Sequence, residues 1–374
     1  MVISILFNDY ILLDFILDFE YNIIIYSKHK GHVMAQHFLL SAKARDLSLM
    51  QLFNMSDTEA FEYFKAIRWS DTDGVPVCPS CGVCHEPYFI SSRKQFRCKH
   101  CEHTFSVTSG TIFASHKKPL KIYLIAIALF TNAVKSISAL QLSRDLDVQN
   151  KTAWVLSHKI RESLMPKEYE EDEKLSGVCE IDGVYVGNYI RPANNIDDRI
   201  DRRKAHKPKK RVIISIRQRA DSEFDEVVGS VKTKTFIVKS EESKDIQELV
   251  YKNVEPGTVL HADEHQGYDI FHAHYDMKRV NHSKEYKSID GACNNQSESY
   301  NSRFRRMEYG QCHSISNLYL SNYANEIAYR EDTRRMSNGA IFRDIFARCM
   351  NTTVSNEFCG YWQGNHRVAE RLGA

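Results

Sequence analysis

The chain has 374 residues, 43% of them hydrophobic and 26% charged, which leaves room for two or three domains of ordinary soluble make-up. Its 50 Lys and Arg against 48 Asp and Glu give a net charge of +2, so composition excludes a global attraction to nucleic acid. Its 10 cysteines are too sparse for a disulfide scaffold, while four of them form two Cys-x-x-Cys pairs, which favours metal binding in a reducing compartment, the cytoplasm.

In chain order, Met1 to Tyr26 is rich in Ile, Leu and Phe but is interrupted by Asp9, Asp14, Asp18 and Glu20. That is too much charge for a spanning helix, and neither the basic start nor the cleavage site of a signal peptide is present. Met34 opens a more conventional sequence. Residues 1–33 are therefore expected to be a non-native N-terminal extension, the alternative being a genuine helix pair packed on the body. Residues 34–73 read as a helical segment, in which Ser56-Asp57-Thr58-Glu59 is a capping box starting a helix through Trp69.

Residues 74–111 hold Cys78-x-x-Cys81 and Cys98-x-x-Cys101 with 16 residues between the pairs. Four thiolates on two knuckles suit one structural tetrahedral zinc, and Pro79 and Gly82 suit the knuckle turns. Cys84, His85, His100 and His103 lie close by but outside a closed four-coordinate site. Residues 112–166 carry an apolar helix, Leu120 to Asn132, then helices at about 137–146 and 151–164 around a break at Asp147–Asn150. The last two read as a helix-turn-helix, with Ala139, Leu140, Leu142, Trp154, Val155 and Ile160 inward. That leaves Lys151, Thr152, His158, Lys159 and Arg161 for DNA. Pro166 and the acidic run at 168–173 mark a linker over residues 167–177.

From residue 178 to 335, strands alternate with helices, an α/β or α+β domain. Asp182 lies within the apolar strand-like run Val178 to Gly187, where an ionised carboxylate is costly unless a metal or partner offsets it. Asp263 ends a second run from Thr258, with His261 and Glu264 as competing neighbours. Glu298 falls 35 positions later in a helix-like stretch, with Asn295 on the same face. Two strand carboxylates and one helix carboxylate can converge on a pair of divalent metals, the arrangement for in-line phosphoryl transfer, so an enzyme that cuts nucleic acid is the leading reading. Between Arg199 and Arg211 stand eight Lys or Arg and one Asp, including Arg202, Arg203, Lys204, Lys207, Lys209 and Lys210. Such a loop beside the catalytic edge is expected to grip the DNA backbone. Arg303, Arg305 and Arg306 face phosphate or pair with acids. Residues 336–374 are read as a C-terminal tail.

Taken together, the ribbon Cys78–Cys101, the run Phe105 to Phe113, Glu180 to Gly187, His261-Ala262-Asp263, Val280 to Tyr286, Asn295 to Glu298 and Gly310 to Ser316 resemble a bacterial insertion-sequence transposase. The likeness is to the ISXO-like DDE family with an N-terminal zinc ribbon. The resemblance covers about residues 34–335. It implies an α/β multidomain chain: zinc ribbon plus helix-turn-helix, then a ribonuclease-H-like mixed-sheet catalytic domain at 178–335. It implies two catalytic Mg²⁺, replaceable by Mn²⁺, with Asp182 and Asp263 as ligands. Asn295 and Glu298 map to the third position, Glu298 being preferred because a carboxylate binds Mg²⁺ better than an amide. The sequence departs from the family at Gly183, usually acidic, and at Cys293, commonly His. The implied activity is cutting element ends and joining them to a target, with no covalent enzyme–DNA intermediate. The expected partners are double-stranded DNA, as terminal inverted repeats and target, and further copies of the chain on it, with no membrane. The expected location is the cytoplasm, on the nucleoid. Two rivals are a DNA-binding regulator from a decayed element and a structure-specific nuclease or resolvase.

Overall fold

Two serines open the helical part of the chain in the same way. Ser48 and Ser56 each cap a helix with the hydroxyl and donate their own N–H groups to the side-chain oxygens of Gln51 and Glu59, so α1 (Leu49–Asn54) and α2 (Asp57–Arg68) both begin on capping boxes. The computed structural model describes residues 38–166, 172–187, 192–201, 207, 209–221, 229–280 and 293–373. The extension expected at 1–33, the core of the acidic linker, and Arg202, Arg203 and Lys204 lie outside them. Elements from Ala42 to Ala374 belong to one compact unit.

After α2 come three short antiparallel strands, β1 (Tyr88–Ile90), β2 (Gln95–Arg97) and β3 (Thr104–Ser106), in the order β1-β2-β3. Each is too short to bury a core. Phe96 and Phe105 lean instead on Trp69 and on each other, which ties the three strands to α2. Next are α3 (Leu120–Asn132), α4 (Ala139–Asp145) and α5 (Asn150–Ser163). α3 is apolar on most sides and is accordingly a central helix, with Leu124, Ala126, Ile127, Ala128 and Phe130 all buried.

The second half is a five-stranded mixed sheet: β4 (Val178–Val186), β5 (Arg211–Arg219), β6 (Ser230–Val238), β7 (Val259–Asp263) and β8 (Asp276–Val280). The order is β6-β5-β4-β7-β8; β5 is antiparallel to both neighbours, while β7 and β8 run parallel to β4. Parallel neighbours require a crossover, and α6 (Ser243–Asn253) supplies it between β6 and β7. One face of the sheet buries Cys179, Ile181, Ile214 and Leu260 against Ile246, Val250, Tyr268 and Phe271. The other buries Val184, Val186, Ile213 and Ile237 against α7 (Asn295–Met307) and α8 (Leu320–Asp332). Tyr300, Phe304 and Met307, spaced at helical intervals, form the inner stripe of α7.

Residues 336–374 are not a tail. They begin with α9 (Asn338–Asn351), which buries Phe342, Ile345 and Phe346 in the N-terminal core beside Phe64 and Tyr63. Asp46 seats the start of α9, accepting from the Gly339 N–H at 2.6 Å and the Ser337 hydroxyl at 2.7 Å. A periodic apolar face in the last forty residues therefore completes the first core rather than trailing from the last.

Candidate functional site

The acidic site follows from strand register. β4 and β7 are parallel and pair Glu180 with His261. Two residues further on, Asp182 and Asp263 project from adjacent strands on the same face, the one covered by α7. Asp182 is fixed through both oxygens: Oδ1 accepts the Gly183 N–H at 2.8 Å and Oδ2 accepts the Asn301 amide at 2.7 Å. Asp263 accepts the His265 N–H at 2.9 Å.

α7 is held over these residues by Glu180, on the same face of β4 as Asp182. Its Oε2 accepts the N–H groups of Gln296 (2.7 Å) and Ser297 (3.0 Å), and Arg219 holds Oε1 at 2.7 Å. A carboxylate on the free N–H groups of a helix start is a strong cap. It fixes the Asn295–Asn301 turn against the aspartates.

Electrostatics shows how tightly the acids are grouped. Burial, then the neighbouring Asp263, push Asp182 from 3.8 up to about 7; Glu241 and Glu298 add to the rise. Glu298 is thus within electrostatic range of Asp182, while both it and Asn295 are exposed in the first turn of α7. Sequence reasoning missed two members. Asn301 lies one turn beyond Glu298 and reaches Asp182 directly. Glu241 comes from the loop after β6, and nothing in its polar surroundings marks it. His261 and Glu264 do not join: His261 is buried, with Nδ1 against the Cys293 backbone at 3.1 Å, and Glu264 is exposed. The departure at Gly183 has a steric account, because a Cβ there would lie 2.4 Å from Glu241 Oε1.

Cys78, Cys81, Cys98 and Cys101 gather their Sγ atoms within 4.8 Å of one another, with Cys78–Cys101 at 3.6 Å and Cys81–Cys98 at 3.7 Å. Four sulfurs at about 2.3 Å from a tetrahedral zinc stand about 3.8 Å apart, so the donor set fits that ion. The Cys101 and His100 N–H groups donate to Cys98 Sγ and hold its thiol down at about 6, favouring the thiolate a metal needs. Cys84 is exposed and outside the group, as are His100 and His103; His85 touches Cys98 through Nε2 at 3.6 Å.

Several residues expected on DNA are engaged elsewhere. His158 and Arg161 are each 1% exposed. Arg161 donates to buried Glu326 at 2.7 Å, and His158 lies among Trp154, Tyr319 and Phe358. Arg211 makes a two-pronged pair with Glu370 at 2.6 and 2.7 Å, and Arg303 pairs with buried Glu331. Lys151, Thr152 and Lys159 line a cavity of about 380 Å³ between α5 and Phe358–Gln363, with Lys151 5.0 Å over the Trp362 ring. Lys209 and Arg306 are exposed, Lys207 is half-buried, Lys210 lies 4.1 Å over the Tyr185 ring, and Arg305 contacts Tyr309.

A cysteine knuckle ribbon ahead of a mixed sheet with two aspartates under a helix is consistent with a transposase. Residues 174–332 match the family model of the ISXO2-like transposase domain, and residues 55–104 match the transposase zinc-ribbon domain. Over these two segments the chain is similar to the ISXO-like insertion-sequence transposases that carry an N-terminal zinc ribbon. It is also 30% identical over 135 residues to an uncharacterized protein in transposable element ISH50 of Halobacterium salinarum. That likeness covers 35% of this chain and 42% of the relative, so the chain spans under half the length of the curated relative it matches. Among the described residues no helix is long and apolar enough to cross a membrane.

Proposed function

We propose that the protein is a DNA transposase that cuts at the ends of its own element and joins them to target DNA. The observation that carries this reading is the placing of Asp182 and Asp263 two residues beyond the Glu180–His261 pair on adjacent parallel strands, under a helix that brings Asn301 and Glu298 to the same edge. The sheet order, with one antiparallel strand flanked as described, supports a ribonuclease-H-like core. α4 and α5, joined by four residues, support a helix-turn-helix.

A carboxylate raised to about 7 by burial and like charge is a group that a cation would relieve. Asp182 and Asp263, with Glu298, are the residues that would hold Mg²⁺, or Mn²⁺ in its place. Divalent cations there would supply activation of the attacking oxygen and stabilisation of the leaving one in an in-line displacement at phosphorus. The chain's own contribution is orientation. Asn301 and the Gly183 N–H fix both oxygens of Asp182, and Glu180 pins α7 above them. Lys209 and Lys210 follow the loop next to β5, where they can meet phosphate. Arg306 offers a further cation on the outer side of α7. Lys151, Thr152 and Lys159 remain the residues of α5 for DNA contact, in place of the buried His158 and Arg161.

The test uses DNA carrying the sequences that flank the gene. Wild-type protein should nick it with Mg²⁺ and join the cut end to a second DNA, while Asp182→Asn should bind the same DNA and leave it intact. Cutting without joining would point to a nuclease or resolvase, and binding without cutting by the wild type to a regulator.

A further inference from the structure

Glu241 stands in the connection between β6 and α6 and is 5% exposed. The connection is fixed, because Ser240 donates to Asp245 Oδ2 through its N–H at 3.1 Å and its hydroxyl at 2.9 Å. Two glycines from other segments make room for it. A Cβ on Gly183 would lie 2.4 Å from Glu241 Oε1, and one on Gly267 would lie 2.3 Å from the Glu241 carbonyl oxygen. Tyr268 donates its hydroxyl to Oε1 at 2.5 Å, and the Tyr185 hydroxyl bonds to the same carboxylate.

Both of these donors are neutral phenols. A neutral side chain of the same length can accept from both, whereas a buried carboxylate is costly unless a cation or metal offsets it. The charge therefore calls for a reason beyond the two hydrogen bonds. Its surroundings supply one: the carboxylate lies against the residue next to Asp182 and is close enough to act on Asp182 electrostatically.

We propose that Glu241 is a positioning residue of the Asp182–Asp263 site, its carboxylate filling the space at Gly183 and adding the negative charge that draws a divalent cation to the aspartates. This rests on the reading of Asp182 and Asp263 as cation ligands. Glu241 does not itself touch the reacting phosphate; it acts through the β4 backbone and through its field. The arrangement is also transferable, because an acid on residue 183 would occupy the same space once residue 241 is shortened.

The experiment is calorimetric titration of Mn²⁺ into the zinc-loaded full chain, with thermal melts to verify folding. Asp182→Asn should abolish binding. Glu241→Gln should weaken it about 10- to 100-fold, the usual effect of losing a group behind a metal ligand. Gly183→Glu combined with Glu241→Ala should return affinity to within a few-fold of wild type. Wild-type affinity in Glu241→Gln, with binding lost in Asp182→Asn, overturns the proposal while leaving the ligand reading intact. Wild-type affinity in Asp182→Asn overturns both. Should Glu241→Gln fail to fold, the double variant decides: recovered affinity supports the proposal, and weak binding by a folded double variant overturns it.

Discussion

Burial and the Asp263 charge make Asp182 a stronger proton holder in the folded chain than in the unfolded one, at about 7 against 3.8. The sign of the pH dependence follows. The folded state binds the proton more tightly, so this group's stabilising effect is fully present below about pH 4 and is lost as pH rises to about 7. Asp332, the last residue of α8, is bonded to Thr233 of β6 and raised by burial to about 6, which adds a second window of the same sign. In chelator, melting temperature should therefore fall between pH 5 and pH 8. Asp182→Asn should flatten the upper part of that fall, and Mg²⁺ should raise the wild-type melting temperature more at pH 8 than at pH 5. An equal Mg²⁺ effect at both pH values in wild type and variant would count against it. Asp182 and Asp263 were legible because each sits in an apolar run where a lone carboxylate is conspicuous. Asn301 and Glu241 were not, because each lies in an ordinary polar stretch and only the folded register brings it to the aspartates.

At the scale of elements, the α5 helix shows what periodicity can and cannot read. The spacing sets its bounds to within a residue and turns Ile160 inward, but its polar side chains read as solvent-facing. Arg161 is instead buried with Glu326, Ser136 and the Ile137 carbonyl, partners distant in sequence or outside the helix. Without Arg161, buried Glu326 keeps the Arg330 guanidinium at 2.9 Å and the Ser136 hydroxyl but loses its second charged partner. Arg161→Met should therefore cost about 2–3 kcal/mol in urea denaturation, whereas exposed Arg306→Ala should stay within about 0.5 kcal/mol. A mild Arg161→Met would mean that the network is dispensable. The ribbon makes a different prediction. Its strands have three residues each and depend on the four-sulfur cluster and a few rings. Cys98→Ser should release zinc and open residues 79–104 to protease, while the β4–β8 sheet keeps its melting transition; an equally protected ribbon would show that the metal is not needed for order.

Across the whole molecule, the chain closes on itself. α9 returns to the first core, and Arg330 of α8 donates to the Phe130 and Ala133 carbonyls at the end of α3, both at 2.7 Å. The two halves thus share buried side chains and are packed together rather than tethered. Residues 336–374 read as a tail in the sequence although Ile341, Phe342, Ile345 and Phe346 fall at helical intervals, because spacing carries no record of the long-range partners they pack against. Phe346→Ala should cost about 3–5 kcal/mol by chemical denaturation, an effect that a loose tail would not give.

If Asp182 and Asp263 jointly hold a divalent cation at the edge of the sheet, anomalous scattering from crystals soaked in Mn²⁺ should show a manganese peak beside the two carboxylates, absent in Asp182→Asn. Manganese bound elsewhere in the soaked crystal, with none beside these two side chains, would refute that role.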